Sequence, residues 1–185
     1  MRLTAQVHAR LAPSLERGDW ALDATAGNGH DTLFLASQVA PIGQVWAWDT
    51  QPAALATTQE RLQAAGLEAT VTLVQASHHR LRERMPTRAH GRLRAVMFNL
   101  GYRPGGDPQH ITQPGTTMPA LEAACRLLHP DGVISLLAYR GHPGGEAEYQ
   151  ALQDWLATAP LAVERITGAG ARERAPVLCL LTRRG

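Results

Sequence analysis

Short apolar segments alternate with helical patterns along most of this chain. The apolar segments predict seven β-strands, at 20–25, 44–49, 69–75, 93–100, 133–139, 161–166 and 177–182. Apolar residues three and four positions apart predict helices at 4–15, 30–39, 52–65, 116–128 and 145–158. Strands that are apolar on both faces and alternate with helices favour an α/β fold, in which helices cover both faces of a largely parallel sheet.

The last two predicted strands are joined only by the segment 168–175 (GAGARERA). This connection is too short for a crossover helix, so we expect the last strand to pair antiparallel. A chain of 185 residues suits one domain. We therefore expect a single domain over 1–185, with 1–17 as a helical extension that either joins a dimer or caps the sheet.

The amino-acid composition limits the reactions that the protein can catalyse. The chain has no lysine, and its 18 basic residues are all arginine against 16 acidic ones, a net charge of +2. Schiff-base chemistry and a phosphate-binding lysine are thereby excluded. The two cysteines form no metal-binding spacing, and we predict no metal. With neither a secretory signal nor an apolar run of membrane-spanning length, we expect a cytoplasmic protein that does not bind membranes.

A glycine-containing loop, DATAGNGHDT at 23–32, joins the first strand to the first helix. Gly27 and Gly29 allow a sharp turn and a close approach to a ligand. A dinucleotide fingerprint needs a third small residue where Thr32 stands, and Asp31 places negative charge where a pyrophosphate would lie. A carboxylate here suits a ligand with a cationic amino-acid end, such as S-adenosylmethionine. An NAD-dependent oxidoreductase remains an alternative on fold grounds.

Two further strand ends extend the predicted cofactor site. Asp49 lies twenty residues beyond Gly29 and can accept both ribose hydroxyls, a feature that NAD sites share. Ser77 and His78 follow the third strand, where adenine contacts occur in such sheets. The alternatives are a helix cap at Asp31 and an ordinary turn at Ser77. The predicted cofactor-binding residues are Asp23, Thr25, Ala26, Gly27, Asn28, Gly29, His30, Asp31, Thr32, Asp49, Thr50, Gln51, Ser77, His78, Asn99 and Leu100.

The fourth strand ends in Asn-Leu-Gly-Tyr at 99–102. This resembles the (Asn/Asp)-Pro-Pro-(Tyr/Phe) motif of nitrogen methyltransferases, with the prolines absent. There a carbonyl accepts from the target amine and an aromatic ring stacks on the base. An amine that arrives protonated also needs a proton acceptor, for which Asp107, His110 and His142 are candidates, although each also fits an ordinary turn or surface position. The predicted catalytic residues are Asn99, Tyr102, Asp107 and His142.

Four segments together resemble one bacterial family, the tRNA 5-(aminomethyl)-2-thiouridine methyltransferases, formerly labelled "putative rRNA methylase". They are 23–32, 49–51, 99–107 with Thr112, Thr116 and Thr117, and 141–145 with Glu146 and Glu148. The resemblance implies a class I methyltransferase fold, S-adenosylmethionine as cofactor, and N-methylation of the aminomethyl group on uridine 34 of tRNA. The chain departs from the family pattern at Arg103, Pro108 and 174–176.

Basic residues are concentrated in 78–94, which holds six arginines and one acid, a net charge of +5 beside a remainder of −3. Such a segment is the electrostatic footprint of an RNA-binding surface, although a solvated surface explains it equally well. With a tRNA anticodon stem-loop as partner, the predicted RNA-binding residues are Arg80, Arg82, Arg84, Arg103, Arg172 and Arg174. The competing hypotheses are methylation of rRNA or of a small amine, and a non-catalytic RNA-binding protein.

Overall fold

The computed structural model describes residues 3–101, 112–141, 143–167 and 175–184. Within these residues seven strands form one sheet: β1 Trp20–Asp23, β2 Gln44–Asp49, β3 Val71–Gln75, β4 Leu93–Leu100, β5 Leu128–Ala138, β6 Leu161–Thr167 and β7 Val177–Arg183. The strand order is β3-β2-β1-β4-β5-β7-β6. Strands β1 to β5 pair in parallel, whereas β7 runs antiparallel to both neighbours. The predicted sheet, including its antiparallel last strand, is confirmed.

The described helices are α1 Leu3–Leu11, α2 His30–Val39, α3 Pro52–Ala65, α4 Leu81–Arg84, α5 Pro114–Leu127 and α6 Gly145–Thr158. Helix α1 ends four residues before the predicted boundary, and a 3₁₀ turn follows at Ala12–Ser14. Pro13 explains the early end, because a proline disfavours helical geometry in the residue before it. The short helix α4 was not predicted.

Several strand and helix ends differ from the predicted boundaries. Strand β5 begins at Leu128 rather than at 133, because Leu128 pairs with Leu93 of the neighbouring strand. Strand β1 ends at Asp23, whose carboxylate accepts a hydrogen bond from the backbone N–H of Thr25 at 3.1 Å. Strand β3 begins at Val71 rather than at 69, and α5 spans Pro114–Leu127 rather than 116–128.

The two faces of the sheet carry separate apolar layers. Successive strand residues point to opposite faces, so Ala21 and Leu22 belong to different layers. One layer contains buried residues of α1, α2 and α3, and the other contains buried residues of α4, α5 and α6. Helices therefore cover both faces of the sheet. Loops lie at the carboxyl ends of the parallel strands, which together form the carboxyl edge of the sheet; the opposite ends form the amino edge. None of the helices within the described residues is long and apolar enough to cross a membrane.

Candidate active site

A cavity of about 750 Å³ lies at the carboxyl edge of the parallel strands. Its walls come from the loops after β1 to β5 and from α1. Strand order places the ends of β2 and β3 at one end of this cavity and the ends of β4 and β5 at the other. Twelve of the predicted cofactor residues line it: Thr25, Ala26, Gly27, Asn28, His30, Asp31, Asp49, Thr50, Gln51, Ser77, His78 and Asn99.

Four predicted cofactor residues do not line the cavity: Asp23, Gly29, Thr32 and Leu100. Asp23 is completely buried and accepts a hydrogen bond from the Thr32 hydroxyl at 2.6 Å. Burial, with the charge of Asp31 adding to it, raises the pKa of Asp23 to about 7. Asp23 and Thr32 thus lie behind the loop and fix its shape.

The glycine loop keeps its shape because of a close approach to α3. Gly27 and Gly29 have φ values of +53° and +76°, in the region that favours glycine. A Cβ atom on Gly29 would lie 2.9 Å from the Thr58 backbone, closer than packing allows. From the same helix, Arg61 donates a hydrogen bond to the Asn28 carbonyl at 3.0 Å. The loop is therefore held from α3 as well as from β1.

Asp49, at the end of β2, joins the loop to the adjacent strand. Its two oxygens accept backbone hydrogen bonds from Gly27 and Gln51, each at 2.9 Å. A carboxylate offers about four acceptor positions, so further positions stay available to hydroxyl groups of a ligand. Asp49 could therefore bind the hydroxyl groups of a ribose.

Near the end of β3, two buried polar atoms lack partners. His78 is 6% exposed and its Nε2 has no hydrogen-bond partner among the described residues, and neither has Nε1 of Trp48. Burial lowers the pKa of His78 to about 4, so the ring is neutral near pH 7. Both residues line the cavity, where they offer a nitrogen and an aromatic surface to a ligand.

At the opposite end of the cavity, one carboxylate joins three elements. Asp31 of α2 accepts hydrogen bonds from the side-chain amide of Asn99 and from Nε2 of His8, the latter at 2.5 Å. The backbone N–H of Asn99 also donates to the Thr25 hydroxyl oxygen at 2.7 Å. The amide nitrogen of Asn99 faces Asp31, and Asn99 Oδ1 accepts no hydrogen bond from any described residue.

A buried carboxylate also anchors the chain where it returns toward the cavity. Glu148 is 2% exposed and accepts hydrogen bonds from the hydroxyls of Thr112 and Thr117, each at 2.6 Å. The Thr112 backbone N–H donates to the Gly101 carbonyl at 2.9 Å. These bonds hold Thr112 beside Gly101 at the cavity wall. Several predicted site residues lie outside the described residues: Tyr102, Arg103, Asp107, His110, His142, Arg172 and Arg174.

The arginine-rich segment extends from the cavity rim to the opposite edge of the sheet. Arg80, Arg82 and Arg84 are exposed close to the cavity residues Ser77 and His78. Arg80 pairs with Glu83 at 3.3 Å, and Arg92 lies over the Trp20 ring at 4.1 Å near the start of β1. The segment is thus divided between two edges of the sheet.

The contribution of α1 to the cavity was not predicted from the sequence. Thr4, Ala5 and His8 line the cavity, as does Tyr139 after β5. The i, i+4 spacing of Thr4 and His8 places them on one helix face, which was the available signal. Burial raises the pKa of Tyr139, with the charge of Asp31 adding to the effect.

Among the described residues, no group of three His, Cys, Asp or Glu side chains could hold a metal ion.

The parallel sheet with one antiparallel strand, and the cavity at its carboxyl edge, define a class I methyltransferase fold. The family model described as "Putative rRNA methylase" matches residues 45–181. The chain belongs to this family. Helix α1 and the glycine loop precede the matched range.

Individual relatives agree with this family assignment. The chain is 40% identical over 160 residues to "tRNA (mnm(5)s(2)U34)-methyltransferase, chloroplastic" of Arabidopsis thaliana, across 82% of this chain. It spans only 58% of the length of that curated relative.

Two solved structures cover nearly the whole chain. A "putative rRNA-methylase" from Clostridium thermocellum is 33% identical with a TM-score of 0.91, covering 98% of this chain and 97% of that one. A "putative methyltransferase" from Streptococcus mutans, in complex with SAH, is 28% identical with a TM-score of 0.85 and the same coverage. These two structures include the region equivalent to α1, which the family model does not.

Proposed function

We propose that the chain is an S-adenosylmethionine-dependent methyltransferase whose acceptor is the amine of 5-aminomethyl-2-thiouridine at the tRNA wobble position. The printed name of the Arabidopsis relative supports the acceptor. The SAH complex of the Streptococcus relative supports the cofactor. A different acceptor, in rRNA or in a small amine, is the alternative that the substrate experiment below excludes or favours.

The residues of the cavity fit this cofactor. Asp49 would accept from the ribose hydroxyls, and His78 and Trp48 would flank the adenine. The glycine loop at 25–28, beside the Asp31 carboxylate, would receive the cationic amino-acid end. When bound, S-adenosylmethionine supplies an electrophilic methyl group on a sulfonium centre.

The orientation of Asn99 is the observation that carries the proposal. Asp31 accepts from the amide nitrogen, so Asn99 Oδ1 remains as a hydrogen-bond acceptor in the cavity wall. An acceptor there can bind an N–H of the target amine and direct its lone pair. In-line transfer requires such alignment, since fixed orientation of the reactants provides much of the rate.

Calorimetry tests the cofactor. We expect S-adenosylmethionine and S-adenosylhomocysteine to bind the purified protein, and NAD not to bind. We expect no NAD binding because the Asp31 carboxylate lies at the start of α2, where a dinucleotide would place its pyrophosphate. Binding of NAD alone would contradict the proposal.

Nucleoside analysis tests the acceptor. Transfer RNA from a strain lacking this gene is digested and examined by mass spectrometry. The unmethylated aminomethyl nucleoside should accumulate, and restoring the wild-type gene should remove it. An Asn99→Ala gene should restore little of the methylated product. If the wobble profile is unchanged by the deletion, the acceptor is a different amine.

The exposed arginines near the cavity would contact RNA phosphates. Replacing Arg82 and Arg84 by alanine should weaken tRNA binding and reduce the slope of log affinity against log salt by about 1 per residue. The matched control is the double variant Arg88→Ala and Arg92→Ala at the far edge, where both guanidinium groups lie over Trp20. Equal losses for both edges would contradict a binding surface near the cavity.

A further inference from the structure

The proposed acceptor creates a proton problem that the site has to solve. An aliphatic amine with a pKa of about 10 is protonated near pH 7 and has no free lone pair. The wall of the cavity must then contain a group that takes a proton. Imidazole is the side chain best suited to this task near neutral pH.

Helix α1 brings one imidazole to the acceptor end of the cavity. Val7 and Leu11 are buried in the sheet layer and fix the helix, while the neighbouring His8 lines the cavity with its side chain 28% exposed. The His8 ring stacks on Phe34, with centroids 4.0 Å apart and planes 5° apart. Its position and ring plane are therefore determined by packing on both α1 and α2.

Asp31 determines which nitrogen of His8 can accept a proton. An ionised carboxylate only accepts hydrogen bonds, so Nε2 carries the hydrogen in the 2.5 Å contact with Asp31. Nδ1 of the neutral ring then holds the lone pair. Among the residues that the structure describes, Nδ1 has no hydrogen-bond partner. The same carboxylate fixes the Asn99 amide, so the amine acceptor and the imidazole share one anchor.

We infer that His8 is a catalytic residue whose Nδ1 accepts the proton of the target ammonium; this inference rests on the proposed methyltransferase function. The N–H bond breaks, its electron pair stays on the amine nitrogen as the attacking lone pair, and the proton bonds to Nδ1. Ammonium plus imidazole becomes amine plus imidazolium, so charge is conserved. Asp31 stabilises the imidazolium, which later releases its proton to water.

Several other titratable groups near His8 fit the role less well. Protonation of Asp31 would weaken the hydrogen bonds that its two oxygens accept from His8 and Asn99. Tyr139 stays a neutral phenol because burial raises its pKa. Asp23 is buried behind the loop, and Arg10 on α1 pairs with Glu164 at 2.6 Å.

The test compares methylation rates of His8→Gln and wild-type protein across pH 7 to 10. Glutamine keeps a donor for Asp31 and so preserves the Asn99 anchor. We expect kcat to fall about 100-fold at pH 7. The deficit should shrink as pH approaches 10, because the amine then arrives unprotonated. Imidazole added to His8→Ala should recover part of the lost rate at pH 7.

Binding and a control separate this role from a structural one. The affinity for S-adenosylhomocysteine, measured by calorimetry, and the melting temperature should stay close to wild type in both variants. His129→Gln, the same substitution at the opposite edge of the sheet, should leave kcat unchanged. A His8→Gln deficit that is constant across pH, together with no recovery by imidazole, would overturn the inference.

The failures of the two proposals are distinguishable. If wild-type protein methylates the tRNA and His8→Gln does so equally well at pH 7, only the role of His8 is wrong. If wild-type protein binds S-adenosylhomocysteine but methylates no aminomethyl nucleoside, the proposed function is wrong and the role of His8 is overturned with it.

Discussion

The carboxylates at the two edges of the sheet have different hydrogen-bond and ion-pair partners. At the amino edge, Arg94 lies 3.7 Å from Asp19 and 3.3 Å from Asp131, around a small polar cavity of about 350 Å³. At the carboxyl edge, the carboxylates of Asp23, Asp31 and Asp49 accept from hydroxyl, amide, imidazole and backbone N–H groups. The structure records no pairing of these three with a described arginine.

This contrast shows where a cation can bind. Carboxylates neutralised by arginine attract no further positive charge, whereas Asp31 and Asp49, which line the cavity without such pairs, keep a negative potential there. A sulfonium cofactor and an ammonium acceptor are both cationic. The carboxyl edge therefore suits the proposed reaction.

The largest effect should come from breaking the shared anchor. Asp31→Ala removes the partner of both His8 and Asn99, so we expect kcat to fall about 1000-fold, from lost proton transfer and lost alignment. The measurement is single-turnover methylation with saturating cofactor. Asp31→Ala activity within tenfold of wild type would show that neither side chain depends on this carboxylate.

Stability should depend on pH through Asp23. The pKa of Asp23 is raised from 3.8 to about 7 in the folded protein, so the native state keeps a proton that the unfolded chain has released. Its contribution to the unfolding free energy is therefore lost as pH rises from about 4 to about 7, by about 4 kcal/mol.

Urea unfolding of wild type and Asp23→Asn at pH 4.5 and pH 8 measures this contribution. Asparagine does not titrate, so the variant should lose less stability than wild type over this interval. Subtracting the two proteins removes the other titrating groups. Equal pH dependence in both would mean that Asp23 is ionised in the fold.

An effect of intermediate size is expected on cofactor affinity, and it should differ between the two edges of the sheet. Asp49→Asn removes one negative charge at the carboxyl edge and should weaken S-adenosylhomocysteine binding by about 1.5–3 kcal/mol, since ribose hydroxyls lose a charged acceptor. The matched variant Asp19→Asn removes the same charge at the amino edge. If calorimetry finds equal losses, the effect is general electrostatics and not ribose recognition.

The smallest effect should be on stability at the amino edge. Asp19 and Arg94 are partly exposed and 3.7 Å apart, which makes a weak ion pair. Asp19→Asn should therefore change the unfolding free energy by less than about 1 kcal/mol. A larger loss of unfolding free energy would show that the ion pairs of Arg94 with Asp19 and Asp131 hold the start of β1 in place.

Several parts of the site follow from the sequence alone. The glycine loop, the acid at the end of β2 and the Ser77-His78 pair are each specified within one strand-loop-helix unit. Apolar patterning locates the strands, and the short 168–175 connection predicts that the last strand is antiparallel. These features depend on neighbours within about thirty residues, so local chemistry suffices to predict them.

Tertiary structure alone decided which polar groups meet. Asn99 and Asp31 are 68 positions apart, His8 and Asp31 are 23 apart, and Thr112 and Glu148 are 36 apart. The sequence predicted Asp23 and Asp31 as equal cofactor contacts, but folding turned Asp23 inward to Thr32 and left Asp31 facing α1. The position of His8 follows from the packing of Val7 and Leu11 on the sheet. Burial of apolar area determines where a helix lies. The apolar pattern therefore does not predict which polar group His8 will contact.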